Sequence, residues 1–302
     1  MSTVVVVGSV NVDLVAVGDR MPLPGETVVM SRFTETHGGK GGNQAAAAAT
    51  LGATTHLVAA LGDDQRGTAA RADLANRGVL VDAVSTVPGP TGIAIVLVDE
   101  AGENSIAIVA GANAEVTPAL VTSALADVRG DDVVVVACLE VPLDAVQAAA
   151  ATARARGWCF LLNPAPARPL PAALLGLVSV LTPNESELSA LGGVDRLLGM
   201  GVQAVVVTRG DAGCTIHPAG ADPISVPACP AAVVDTTGAG DVFTAALAVA
   251  LSEGQPLDEA ARSATAAGAI ATEGFGARGS VPSLSQVRAR MTERATPNHR
   301  NR

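Results

Sequence analysis

The sequence predicts an α/β protein, a three-layer α/β/α sandwich with a mainly parallel central sheet and a small second β-sheet. Short β-branched runs alternate with Ala-rich helical stretches along most of the chain, which is typical of parallel strands joined by crossover helices. Runs such as 4–7 and 133–137 are continuously apolar. Strands that are covered on both faces have this character, so the runs indicate a buried sheet between two helical layers.

The elements follow one another in a regular order. The predicted strands are 4–10, 55–60, 132–137, 158–163, 178–182 and 204–208, and the predicted helices are 42–51, 67–77, 118–128, 143–156 and 185–191. After Thr208 the pattern changes, because 213–217 and 222–226 flank a turn with Pro and Gly and predict an antiparallel hairpin. Two long Ala-rich helices, at about 239–252 and 257–272, complete the fold.

Two segments do not fit this alternation. Residues 14–17 with 27–36, and 92–98 with 105–110, are predicted strand pairs that have no helix between them. Together they predict a small sheet that covers a site as a lid. Two surface hairpins without a function are the alternative. The chain shows no internal repeat and no linker, so one domain over 1–302 is expected, with lid strands inserted at approximately 13–37 and 91–111.

Composition excludes several classes of function. The 302 residues carry 19 Lys and Arg against 29 Asp and Glu, a net charge of −10, which repels nucleic acid and anionic lipid. Aromatic residues make up only 2%, which argues against base stacking. The four cysteines have no C-x-x-C spacing, so free thiols are expected rather than a zinc site. No signal peptide or membrane span is predicted, and the expected location is cytoplasmic.

A glycine-rich run, His37-Gly38-Gly39-Lys40-Gly41-Gly42-Asn43-Gln44, leads into a predicted helix. Glycines allow close approach to a ligand and expose N–H groups at a helix start, while Lys40 and Asn43 add a charge and an amide. Lys40 is the only lysine of the chain. The spacing does not match a Walker A loop. The run therefore predicts a cradle for a polar ligand, with an ordinary glycine-rich turn as the alternative.

A second run, Asp235-Thr236-Thr237-Gly238-Ala239-Gly240-Asp241, lies between a strand and a helix. The N–H groups of Gly238, Ala239 and Gly240 would form an anion hole at the helix start, suited to a transferring phosphoryl group. Asp241 follows in the first turn. It either accepts the proton of an attacking hydroxyl group or only complements the helix dipole. A dinucleotide-binding fingerprint is disfavoured, because Phe243 replaces its third glycine.

Three further sites have the residue types of ligand binding. Asn184 and Glu187 are three residues apart and can orient hydrated Mg²⁺, or they can form a helix N-cap. Asn11 and Asp13 share one face of the first strand, where they can bind adjacent hydroxyl groups or serve as turn residues. Glu140 directly follows a buried strand, where open parallel sheets present ligand-binding groups.

In combination these motifs resemble the PfkB family of carbohydrate kinases over nearly the whole chain. The family's two signatures correspond to 38–43 and 235–241, and between them lie Asn184 with Glu187 and the segment Thr208-Arg209-Gly210. The early stretches 8–13 and 24–27 resemble the members that act on ribose. The resemblance implies an ATP-dependent sugar kinase that transfers the γ-phosphoryl group to the 5-hydroxyl group of D-ribose.

The resemblance also implies residue roles. Asp241 would be the general base, beside an anion hole formed by Gly238, Ala239 and Gly240. The sugar would be bound by Asn11, Asp13, Gly39, Lys40, Asn43, Glu140 and Asp241. ATP would contact Asn184, Thr208, Arg209, Gly210, Gly213, Gly240 and Thr265. Mg²⁺ would be held through water by Asn184 and Glu187, and an activating K⁺ by Asp235, Thr237, Ala271, Gly274, Gly276 and Ser280. The lid would also form a homodimer.

Some residues depart from the family pattern. Cys138 replaces a common Gln, Gly42 replaces the usual Ala, and Thr265 stands where His or Asn is frequent. Phe275 and Arg278 are also unusual. These positions bear on adenine contacts and sugar preference, so a nucleoside kinase of the same family is one alternative. A sugar sensor that keeps the fold without catalysis is another, although such a protein does not need an acid beside an anion hole.

Overall fold

The computed structural model describes residues 2–295 and confirms the predicted fold class. It contains a nine-stranded sheet and a separate four-stranded sheet. The strands of the large sheet are β1 (Thr3–Val7), β4 (Thr54–Gly62), β5 (Val84–Val87), β8 (Val133–Cys138), β9 (Cys159–Asn163), β10 (Val180–Leu181), β11 (Ala204–Thr208), β12 (Cys214–Pro218) and β13 (Ile224–Val226). Their order across the sheet is β13-β12-β11-β10-β9-β8-β1-β4-β5.

The large sheet is parallel except at one end. β12 pairs antiparallel with both β11 and β13, which confirms the predicted hairpin. The side chains of β1 alternate between two cores, with Val4 and Val6 in one and Val5 and Val7 in the other. Because both faces are covered, the strands at the centre of the sheet are mainly apolar, and all six residues of β8 are apolar and buried.

Helices cover both faces of this sheet. They are α1 (Lys40–Thr50), α2 (Gln65–Asn76), α3 (Pro118–Asp127), α4 (Leu143–Arg156), α5 (Ala172–Leu175), α6 (Glu185–Ala190), α7 (Val194–Gly199), α8 (Ala239–Ser252), α9 (Leu257–Ala271) and α10 (Leu284–Ala295). α1, α8 and α9 share a core with one face, and α3 and α4 share a core with the other. Within residues 2–295 we find no helix with the length and apolar character of a membrane span.

The four outlying strands form one sheet and not two separate hairpins. They are β2 (Asn11–Val17), β3 (Arg32–Gly38), β6 (Gly92–Val98) and β7 (Asn104–Val109). β2 pairs antiparallel with β3 and parallel with β6, and β6 pairs antiparallel with β7. We call this four-stranded unit the small sheet. Its first strand begins only a few residues after β1, so the chain passes directly from the central sheet into the small sheet.

Some boundaries differ from the prediction. β1 ends at Val7 rather than at residue 10, because Gly8 packs against the start of α1. A Cβ atom at Gly8 would lie 2.7 Å from the Cα atom of Gly41, so the chain leaves the sheet where the helix approaches. β3 begins at Arg32 rather than at residue 27. Elements without a regular apolar pattern were not predicted, namely β5, α5, α7 and α10.

Candidate active site

Asp241 lies in the first turn of α8, at the carboxyl end of the central strands. The helix begins after Gly238, whose φ of +77° is readily adopted by glycine. A Cβ atom at that position would also lie 2.7 Å from the backbone of Ala277. Asp241 is only 7% exposed. Its Oδ2 accepts a hydrogen bond from Asn43 Nδ2, and its Oδ1 accepts one from Gln44 Nε2, both at 3.0 Å.

Gln44 is a site residue for which the sequence analysis gave no role. Its amide nitrogen also donates to Asn163 Oδ1 over 3.2 Å, and Asn163 Nδ2 donates in turn to the carbonyl of Thr182. Gln44 is fully buried. In the sequence, its position could have indicated this role, because a long polar side chain directly follows Asn43 on a helix that is otherwise rich in alanine. Together the two amides fix both oxygens of Asp241.

The structure brings all of the predicted sugar-binding residues into one cavity. The cavity has a volume of about 670 Å³ and is lined by Asn11, Asp13, Gly39, Lys40, Asn43, Glu140 and Asp241. Side chains of the small sheet close one side of it, among them Val15 and Ile106. A polar floor beneath an apolar cover is suited to a small polyhydroxyl ligand.

Hydrogen bonds within the floor hold its polar groups in place. Asn11 Oδ1 accepts from Asn113 Nδ2 at 2.7 Å. Glu140 Oε2 accepts from the hydroxyl group of Ser9 and from the backbone N–H of Lys40. Ser9 and Asn113 therefore position two predicted sugar-binding side chains, and neither was singled out from the sequence.

Burial and neighbouring charges shift the pKa values of two groups in this cavity. Burial is the main cause that raises the pKa of Asp13 to about 6; Arg278 opposes the rise, and the carboxylates of Glu140 and Asp241 contribute to it. For Lys40, burial lowers the pKa, but the carboxylates of Asp241 and Glu140 outweigh it and the net pKa is raised. Lys40 therefore stays a cation at neutral pH, among acidic groups.

The predicted anion hole has two N–H groups that are not engaged with other protein groups. The N–H of Ala239 donates to the carbonyl of Thr236 at 3.2 Å. The N–H groups of Gly238 and Gly240 have no acceptor within the described part of the chain. At the start of a 14-residue helix they combine with the helix dipole to favour an anion.

A second cavity, of about 570 Å³, contains most of the predicted nucleotide residues. It is lined by Thr208, Gly210, Gly213, Gly240 and Thr265 among others. Arg209 lines none of the three cavities described here. A small cavity of about 210 Å³ lies between the two larger ones, since it shares Lys40 and Asp241 with one and Thr208 and Gly240 with the other. A chain of cavities thus leads from the nucleotide side to Asp241.

Asn184 and Glu187 line this small connecting cavity and form a capping box at the start of α6. Asn184 Oδ1 accepts from the N–H of Glu187, and Glu187 Oε2 accepts from the N–H of Asn184. The N-cap alternative is therefore what the hydrogen bonds show. Burial raises the pKa of Glu187. The hydrogen bond from the N–H of Asn184 and the charge of Lys40 partly offset this rise. Binding of Mg²⁺ through water stays a prediction.

The predicted cation residues lie in the loop before α8, at the end of α9, where Ala271 is the last residue, and in the loop after α9; Asp235 joins the two loops. Asp235 Oδ1 accepts from the N–H of Thr237, and Oδ2 accepts from the N–H of Gly276. Burial alone would raise the pKa of Asp235, but these hydrogen bonds lower it overall. Ser280 Oγ fills the space beside Gly274 where a Cβ atom would stand. The carboxylate, hydroxyl and carbonyl oxygens of these loops are the donor types that hard cations prefer.

Comparison with known proteins agrees with this geometry. Residues 1–284 match the family described as pfkB family carbohydrate kinase. The ribokinase of Bacillus subtilis (strain 168) is 38% identical over 95% of this chain and 98% of its own. The ribokinase of Lactococcus lactis (strain IL1403) is 36% identical over 97% and 98%. The chain therefore belongs to the pfkB family of carbohydrate kinases, which confirms the predicted family and enzyme class.

Solved structures show the same fold. The structure of Arabidopsis thaliana ribokinase complexed with ribose and ATP matches with a TM-score of 0.87 and 35% identity, and covers 96% of this chain and 98% of that one. A Methanocaldococcus jannaschii nucleoside kinase matches with a TM-score of 0.81 over 97% of this chain and 99% of its own, but at 19% identity. The second likeness shows the fold alone.

Proposed function

We propose that this protein transfers the γ-phosphoryl group of ATP to the 5-hydroxyl group of D-ribose, giving D-ribose 5-phosphate and ADP. One observation carries the proposal: the cavity that contains Asn11, Asp13 and Lys40 also contains the buried Asp241. Relatives named ribokinase, at 38% and 36% identity over nearly full length, support the same substrate.

Asp241 acts as the general base. Two neutral amides hold its carboxylate in place and leave each oxygen able to accept one more hydrogen bond. The 5-hydroxyl group donates its proton to this carboxylate as its oxygen attacks phosphorus. Phosphoryl transfer needs little covalent chemistry from the protein, so a fixed base and a bound acceptor meet most of its requirements.

The remaining requirement is stabilisation of charge on the transferring group. The N–H groups of Gly238 and Gly240 supply donors at the start of α8, and Lys40 supplies a cation in the cavity between nucleotide and sugar. Asn11, Asp13 and Glu140 accept hydrogen bonds from the other sugar hydroxyl groups. ATP occupies the cavity of about 570 Å³, and its phosphates extend into the connecting cavity of about 210 Å³.

We further propose Mg²⁺ as the divalent ion. Residues 2–295 contain no group of three or more His, Cys, Asp or Glu side chains that could hold a metal ion. Mg²⁺ commonly binds phosphates and water with only one or two carboxylates. Glu187 fits this mode, with Asn184 beside it. When bound, the ion neutralises charge on the phosphates of ATP.

K⁺ is the proposed activating cation. It would be held by oxygens from the loop before α8, from the end of α9 and from the loop after α9, namely those of Asp235, Thr237, Ala271, Gly274, Gly276 and Ser280. The loops contact the start of α8 through Gly238, which packs against Ala277. A bound cation would supply positive charge near the anion hole.

The small sheet is the proposed lid of a single domain, and its outer face is the proposed homodimer interface. The inner face lines the sugar cavity through Val15, Val96 and Ile106. The outer face carries Phe33, which is 63% exposed, and Ile95, which is 41% exposed. Apolar side chains on an exposed sheet face mark an interaction surface.

The test is release of ADP from Mg·ATP, with K⁺ present, in parallel reactions with D-ribose, 2-deoxy-D-ribose, adenosine, D-fructose and no acceptor. We expect turnover to be fastest with D-ribose. Replacing K⁺ by a large organic cation should lower the rate. Preference for adenosine would move the substrate to nucleosides, and no turnover with any acceptor would favour the sugar sensor.

A further inference from the structure

Arg278 is a buried arginine in the loop that carries three predicted K⁺ residues, but no role of its own has been assigned to it. It lies in the loop after α9 and is only 8% exposed. Its guanidinium donates three hydrogen bonds: from Nε to Asn43 Oδ1 at 2.9 Å, from Nη2 to the carbonyl of Gly38 at 2.9 Å, and from Nη1 to Asp73 Oδ2 at 2.7 Å. One side chain therefore joins this loop to the glycine-rich loop and to α2.

The contact with Asn43 fixes the orientation of a site amide. A guanidinium can only donate, so the oxygen of Asn43 must face Arg278. The nitrogen of the same amide then faces Asp241, to which it donates at 3.0 Å. If the amide rotated by half a turn, its oxygen would face a carboxylate and its nitrogen an arginine. Arg278 thus determines which end of Asn43 meets the proposed base.

Gly42 makes room for this arrangement. A Cβ atom at residue 42 would overlap Arg278 Nη2, the atom that donates to Gly38. The guanidinium can lie against the first turn of α1 only because residue 42 has no side chain. The close packing of Gly42 and Arg278 is a feature of this chain, and it adjoins the loop that carries the predicted sugar-binding residues.

Burial of this arginine is costly and needs compensation. Asp73 supplies it, since its carboxylate pairs with Arg278 and also with Arg77, the residue that directly follows α2. Burial lowers the pKa of Arg278, but Asp73 opposes that effect. The cation is therefore held by an ion pair on one side, which leaves its Nε group for Asn43.

We propose that Arg278 is a positioning residue for the acceptor sugar: it holds the amide of Asn43 in the orientation that serves both Asp241 and the sugar. The inference rests on the proposed function, because the affected ligand is the sugar in the cavity that Asn43 lines. Arg278 does not line that cavity. It acts on the sugar through its hydrogen bond to Asn43, apart from the effect of its charge on the pKa of Asp13, which Arg278→Lys retains.

The first test is Arg278→Lys, which keeps the charge but loses the fork that reaches three acceptors. We expect kcat/KM for ribose to fall about tenfold or more, while KM for ATP changes less than twofold. Arg71→Lys is the matched control, because Arg71 likewise donates to three acceptors, the carbonyls of Val81 and Val84 and the hydroxyl group of Thr86, and none of these residues lines the cavity that contains Asn43. It should lower Tm without changing kcat/KM for ribose.

A double-mutant cycle decides whether the effect passes through Asn43. In an Asn43→Ala background, Arg278→Lys should cause little further loss of kcat/KM for ribose. An equal loss in both backgrounds, or kcat/KM unchanged in the single variant, overturns the inference. If Arg278→Lys does not fold, Gly42→Ala tests the same contact by displacing Nη2. Wild-type enzyme without activity on ribose would instead overturn the proposed function, and this inference with it.

Discussion

At the scale of single residues, Asp241 combines burial with two neutral hydrogen-bond donors. Asn43 and Gln44 hold one carboxylate oxygen each, and within the described residues Asp241 forms no ion pair. A carboxylate fixed in this way is oriented without being neutralised. The alternative, in which an acid only complements a helix dipole, does not require two buried amides directed at it.

Asp241→Asn should lower kcat by about 10²- to 10⁴-fold, because an amide cannot accept the proton of the sugar hydroxyl group. The dissociation constant of ribose, measured by calorimetry without ATP, should stay within about threefold of wild type. Asp195→Asn is the control, since Asp195 is also an acid in the first turn of a helix, here α7, but is exposed. Turnover near wild type in Asp241→Asn would contradict the role of general base.

Asp13, when it is ionised, lowers the stability of the folded protein. Burial raises its pKa to about 6, above the usual 3.8, so the folded protein binds its proton more tightly than the unfolded chain. The contribution of Asp13 to stability therefore falls as pH rises from about 4 to about 6. Glu140 and Asp241 add to this cost, and Arg278 reduces it.

Asp13→Asn should therefore raise Tm at pH 7, and the gain should vanish below about pH 4. The same variant should weaken ribose binding at pH 7, since an ionised acceptor is lost. Thermal unfolding from pH 3.5 to 8, with ribose affinity measured in parallel, checks both effects. A Tm at pH 7 below that of wild type would show that the carboxylate is stabilised rather than strained by its surroundings.

At the scale of elements, α1 and the loop after α9 fit each other through Gly42 and Arg278. Alanine is favoured over glycine within a helix by about 0.5–1 kcal/mol. In this chain a Cβ atom at residue 42 meets the guanidinium, so Gly42→Ala should lower stability. In an Arg278→Ala background the obstruction is gone and Gly42→Ala should raise stability. Urea unfolding of the four proteins measures these changes in stability. An equal change in both backgrounds would show that the two residues are not coupled.

Prediction of elements from sequence succeeded where local signals are strong. Continuous Val runs identified β1 and β8, and helix α4 was predicted with the bounds that the structure has, Leu143–Arg156. β5 is an edge strand with mixed burial, so its four residues carry no periodic signal. β10 has only two residues in the sheet, and the length of such a strand depends on its neighbours.

The residues predicted for the site lie inside motifs, and the sequence pattern did not indicate the residues that support them. Glycine-rich loops and isolated acids stand out in a sequence, and these supplied the residues of the sugar cavity. Ser9, Asn113 and Asn163 support those residues from distant elements. Their hydrogen bonds span more than 100 positions of the chain, and such partners become apparent only when the fold brings them together.

At the scale of the whole molecule, the small sheet has two faces with different environments. β2 pairs with β3 on one side and β6 on the other, so side chains of β2 alternate between the sugar cavity and the outer surface. Val15 lines the cavity, while Leu14 lies beside Ile95 on the opposite face. An apolar outer face favours association with a second copy, which would cover Phe33 and Ile95.

Ile95→Asp should therefore convert the proposed dimer into a monomer, because a charge within an apolar interface loses its hydration on association. Light scattering after size-exclusion chromatography measures the mass. Leu80→Asp is the control, since Leu80 is 39% exposed, close to the 41% of Ile95, but lies beside β4 in the large sheet. A wild-type protein that is monomeric at all concentrations would contradict the interface.

If Ile95→Asp is monomeric and also has a raised KM for ribose, association contributes to holding the lid over the sugar, because Ile95 itself lies outside the cavity.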